Sequence, residues 1–152
     1  MLITRTYHPH APRNRQVAAL FLTDRNLAVR ATGVRYPGGE ADIIAEDTDG
    51  TVVAACVVGG WRRTTASSAP VTRGRLKLLA TAAKRFTAHR SRAVIRLDAL
   101  TVTPADTGDA GACPRHHPGD DHGRHRREEI VETPGGQRFV VTWFKGVGRA
   151  RN

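Results

Sequence analysis

Hydrophobic and polar positions alternate with two different periods along this chain, and the changes of period mark its elements. From about residue 12 to 25 the spacing is helical: Val17, Leu20 and Phe21 fall on neighbouring turns, Pro12 suits a first turn, and Asn26 suits a left-handed stop. Leu27–Arg35 alternates weakly with Val29, Ala31 and Gly33 on one face, as an edge strand does. The turn Tyr36-Pro37-Gly38-Gly39 leads into a second strand, Glu40–Glu46, and Asp49-Gly50 marks a tight hairpin. Thr51–Val58 is apolar on both faces, which places it in the middle of a sheet.

A Gly/Ser/Thr-rich loop over 59–70 precedes a second helix capped by Thr72 and running to about His89, with Leu76, Leu79, Ala80, Ala83 and Phe86 as its core face. Ala93–Thr103 reads as a fourth strand. Residues 104–127, rich in Gly, Pro, Asp and His, predict a disordered insertion. Ile130–Thr133 and Arg138–Lys145 form a hairpin around Pro134-Gly135-Gly136, and 146–152 reads as a basic tail. Residues 1–11 read as a loose arm, so the domain is expected over 12–145. Trp143 and Phe144 are adjacent in the last strand and face opposite sides, one of them into the core.

Composition adds a partner class. The chain of 152 residues suits one domain, and its 24 Lys and Arg against 14 Asp and Glu leave a net charge of +10, which attracts polyanions. The charge is clustered: from Thr72 through Arg90 there are six Lys and Arg and no acid. DNA or RNA is the expected partner, with Arg73, Arg75, Lys77, Lys84 and Arg85 on the helix and Arg62 and Arg63 beyond the third strand as phosphate contacts. Trp61 stands beside that arginine pair, where it either stacks on an unpaired base or covers the sheet end. Cys56 and Cys113 form no CxxC pair, no apolar run approaches a membrane span, and no signal-peptide pattern opens the chain. The expectation is a soluble cytoplasmic protein, and the abundance of Arg and Ala is typical of GC-rich bacteria.

The order helix, three antiparallel strands, helix, strand is the frame on which a phosphodiester-cleaving site is built. Such a site takes a hard divalent ion on an acid of the second strand and a carboxylate of the third, with a lysine two residues on. Gly38-Gly39-Glu40-Ala41-Asp42-Ile43-Ile44-Ala45, Thr51–Val58, Ala69-Pro70-Val71-Thr72 and Arg96-Leu97-Asp98-Ala99-Leu100-Thr101-Val102 carry a resemblance to the YraN-like family of uncharacterised bacterial proteins. It spans about residues 14–103. It implies an α/β fold, a restriction-endonuclease-like mixed sheet flanked by helices, with Glu40 and Asp42 as the catalytic and metal-binding remnant.

The departures from the family pattern bear on activity. Cys56 and Val58 stand where the family carries Glu-x-Lys, and Asn14-Arg15 where its first helix opens with Gly-Glu. Loss of a preorganised charge stabiliser is worth about 3–4 kcal/mol, and a thiol suits zinc or copper better than magnesium. Glu46 lies about 13 Å along the strand from Asp42, too far to replace the missing acid.

The reading is therefore a nucleic-acid-binding protein, catalytically degenerate and without a cofactor. One alternative is an active endonuclease using magnesium or manganese, with Lys77, Arg62 or Arg63 as migrated cations. Another is a protein–protein adaptor on a nuclease scaffold. The simplest structural role of Glu40 and Asp42 is pairing with nearby arginines. Cys113, His116, His117, His122 and His125 have zinc-binding chemistry, but their spacing matches no closed tetrahedral motif, so the cluster reads as a fortuitous His-rich loop.

Overall fold

The computed structural model of the protein describes residues 11–59, 71–105 and 126–149. Its elements are α1 (Ala11–Thr23), β1 (Ala28–Tyr36), β2 (Gly39–Glu46), β3 (Val52–Gly59), α2 (Arg73–Phe86), β4 (Ile95–Pro104), β5 (Arg126–Glu132) and β6 (Arg138–Arg149). The strands form a six-stranded sheet in the order β1-β2-β3-β4-β6-β5. All neighbours are antiparallel except β3 and β4, which run parallel because the chain returns through α2 between them.

Local signals place the turns. Asn26 adopts φ 65° just beyond α1, and Gly38, Gly50 and Gly136 take positive φ at the three hairpin turns. Thr72 caps α2, its hydroxyl accepting from the Arg75 N–H at 3.2 Å. The helix ends at Phe86, where Thr87 is buried and its hydroxyl donates to the Ala83 carbonyl at 2.8 Å.

The two helices cover opposite faces of the sheet. On the α1 side, Val17, Ala18, Phe21 and Leu22 pack on Ile43, Ala45, Val53, Ala55, Leu100, Val141 and Trp143. On the α2 side, Leu79, Ala82 and Ala83 pack on Ala41, Ile44, Ala54, Cys56, Ala99 and Phe144. β3, with β2 and β4 as neighbours, feeds both clusters, as its double-sided apolar pattern requires. Small side chains let α2 approach closely: a Cβ on Gly39 would stand 2.8 Å from the Ala82 nitrogen. β1 lies at an edge.

Four expectations are corrected. Leu20 is exposed, because the buried face of α1 runs through positions 17, 18, 21 and 22 and leaves position 20 turned outward. Trp143 and Phe144 are both buried, since helices cover both faces of β6. β5 begins at Arg126, so residues 126 and 127 belong to the sheet and not to an insertion. Gly146–Arg149 continues β6, pairing with β4 up to Arg96, and is no tail. Of the arm expected over 1–11, Ala11 opens α1 and 1–10 lie outside the described residues, as do Trp61, Arg62, Arg63 and most of the His-rich stretch.

Candidate nuclease-like site

The paired register of β2 and β3 runs from Glu46–Val52 to Ile43–Ala55. Beyond it the alternation of β2 breaks: Ala41 and Ile44 both serve the α2 cluster, while Ile43 serves the other. Asp42 sits at that break, and its side chain does what a ladder carbonyl would do, accepting the Val57 N–H through Oδ2 at 2.7 Å. Arg75 of α2 donates to the same oxygen at 3.0 Å, and Arg15 of α1 donates to Oδ1 at 3.3 Å. The carboxylate thus lies in the fork between two strands and is reached from both helical layers. Its side chain is 11% exposed, against 26% for Arg15 and 44% for Arg75, so the acid is the least accessible of the three.

Helix geometry explains why these two arginines arrive there. Arg75 is one turn before buried Leu79 and two turns before buried Ala82, so it lies on the sheet-facing side of α2. Arg15 is three and seven residues before buried Ala18 and Leu22. That periodicity is legible in the sequence, and it sets Arg75 apart from the outward stripe of Arg73, Lys77 and Lys84. Arg73, Lys77, Lys84 and Arg85 are exposed, and none forms an ion pair among the described residues. Of the cations on α2 it is Arg75, and not Lys77, that bonds Asp42.

The remaining candidates are not gathered into a metal site. Glu40 is partly buried in β2 opposite Arg35 and has no ion pair among the described residues. Cys56 is buried, and burial pushes its thiol up to about 11, with Arg75 opposing the shift and Asp42 adding to it. Val58 is partly buried opposite Thr101. Glu46 pairs with Arg90 at 3.2 Å and Arg30 at 3.6 Å. Among the described residues no three His, Cys, Asp or Glu side chains come together as a metal-binding group. The donor set does not fit magnesium: both Asp42 oxygens already face guanidinium donors, and the neighbouring strand offers a protonated soft sulfur.

A polar centre that the sequence reading passed over is Asp98. It is fully buried and accepts from Arg96 Nε at 2.9 Å, Arg96 Nη2 at 3.0 Å, Trp143 Nε1 at 3.0 Å and the Gly146 N–H at 2.9 Å. Its only sequence signal is an acid between apolar neighbours in β4.

A mixed sheet with helices on both faces and an aspartate at the β2–β3 fork defines a restriction-endonuclease-like α/β fold. The chain belongs to the Uncharacterised protein family UPF0102, the YraN-like proteins, whose sequence model matches residues 15–102. No curated protein matches it. Among the described residues no helix is long and apolar enough to cross a membrane.

Proposed function

We propose that this protein binds DNA or RNA on a nuclease-like scaffold and does not cleave by the two-carboxylate metal route. The observation that carries the reading is the outer face of α2. Arg73, Lys77 and Lys84 fall within one stripe at 100° per residue, all exposed, with no ion pair among the described residues and no acid anywhere between Thr72 and Arg90. A cationic stripe with no ion pair among the described residues is available to backbone phosphates, and Arg62 and Arg63, about ten residues before α2 in the chain, would extend it. Catalytic silence is supported by the three hydrogen bonds Asp42 already accepts and by the buried, protonated thiol of Cys56 where the resemblance implies a carboxylate.

The test is a salt titration of binding to labelled duplex and single-stranded DNA and RNA. The expected result is a linear fall of log affinity with log salt, the slope losing about 0.9 for each duplex phosphate contact removed. Lys77→Ala and Lys84→Ala each shallow that slope. Absence of binding at low salt overturns the proposal. Nicking of supercoiled DNA with manganese that disappears in Asp42→Ala overturns its catalytic half.

A further inference from the structure

In a metal-dependent nuclease the ion joins the aspartate of the fork to the scissile phosphate, and here two guanidinium groups occupy the approach to that aspartate. We propose that Arg15 and Arg75, braced by Asp42, form a metal-independent clamp for one backbone phosphate. This deepens the reading above and rests on it. The family resemblance implies an acid at position 15, and the arginine there is instead a partner for Asp42.

Charge and hydrogen-bond count point the same way. Two guanidinium groups and one carboxylate leave a net +1, and a guanidinium carries five N–H donors, of which Asp42 takes one from each arginine. The carboxylate is the least exposed of the three side chains, at 11% against 26% and 44%, so an arriving anion has more access to the arginines than to the acid. Planar forks match phosphate oxygens in pairs, and a carboxylate behind them fixes their orientation before the ligand arrives.

The pocket around Arg15 is also built for that side chain. A Cβ at Gly33 would lie 2.9 Å from its Nη1, and a Cβ at Gly59 would lie 2.4 Å from Nδ2 of the neighbouring Asn14, so glycine at both positions makes the room. Asn14 is itself 8% exposed, and its side-chain oxygen and the Arg15 Nε have no partner among the described residues. Buried polar groups are normally satisfied. Both unpartnered groups lie at this end of α1, on Arg15 and its chain neighbour.

The experiment measures anisotropy of a fluorescent DNA duplex with the full chain, in excess EDTA and again in magnesium. Affinity in EDTA is expected to equal or exceed that in magnesium. Arg15→Gln and Arg75→Gln are each expected to weaken binding about tenfold and to reduce the salt slope by about 0.9. Arg75→Lys, whose thermal melt certifies folding, keeps the slope but loses affinity, because a point charge lacks the fork. Asp42→Asn separates a brace from a bystander. It removes one negative charge, so tighter or unchanged binding overturns the clamp, and weaker binding supports it. Loss of binding in EDTA overturns it too, because a metal then holds the phosphate. If the wild-type chain binds and Lys77→Ala weakens it while Arg15→Gln and Arg75→Gln do not, the clamp fails and the broader nucleic-acid reading stands. If the wild-type chain does not bind at all, both fail.

Discussion

The indole N–H of Trp143 donates to the Asp98 carboxylate at 3.0 Å, and both side chains are buried in the α1 side of the sheet. The β4–β6 register shifts between Leu97 and Ala99, and at that point Asp98 also takes the Gly146 N–H, where Gly146 turns with φ 65°. Asp98 thereby carries β6 across the irregularity and onward to Arg149. Asp98→Ala leaves the buried indole N–H, a backbone N–H and two Arg96 donors without their acceptor, while Arg96 keeps its bond to Asp47 at 3.2 Å. The expected loss is about 3–5 kcal/mol in urea unfolding. Amide exchange should accelerate first over 146–149, while pairing of Arg138–Phe144 with β5 persists.

Gly39 and Gly74 respond to alanine in opposite directions. At Gly39 the new methyl meets the Ala82 backbone nitrogen at 2.8 Å and its Cα at 3.1 Å, so α2 must lift from the sheet. Overpacking of this kind costs about 1–3 kcal/mol. At Gly74, in the first turn of α2, the nearest atom is Thr72 Oγ1 at 4.0 Å. There alanine lowers the entropy of the unfolded chain and should stabilise by about 0.5–1 kcal/mol. Paired thermal melts of the two variants check both signs.

Cys56 makes stability depend on alkaline pH. Burial raises its thiol from 9.0 to about 11, so between those values the unfolded chain gives up a proton that the folded chain keeps. The contribution is complete below pH 9 and is lost as pH rises through 11, on the order of 2–3 kcal/mol. Cys56→Ala should flatten that part of the profile in urea unfolding. In a Cys113→Ser background, Cys56 should react with a thiol reagent only as fast as the protein opens.

Thr72 links the cap of α2 to the fork, because its hydroxyl accepts the Arg75 N–H while the Arg75 side chain bonds Asp42. Thr72→Ala should cost about 1 kcal/mol of stability. Thr72→Ser should restore most of it, as urea unfolding of both variants would show.

Sequence alone determined what depends on near neighbours. The left-handed Asn26, the glycine turns, the Thr72 cap, the central place of β3 and the edge place of β1 all follow from local conformational preference and from which faces of a segment are apolar. The strand positions of Glu40, Asp42 and Cys56 were equally legible, whereas a carboxylate expected at position 56 is implied only by the family resemblance. Tertiary structure alone decided the partners of those acids. Arg15 and Arg75 reach Asp42 across 27 and 33 residues, and Arg96, Trp143 and Gly146 converge on Asp98 from two strands. The same holds for β6 beyond Lys145 and for the burial of both Trp143 and Phe144, which needed β4 and two helical layers to be in place. Periodicity names the face on which a side chain lies, but a charge meets its counter-charge only when separate elements pack. That packing is a property of the whole chain and of no segment within it.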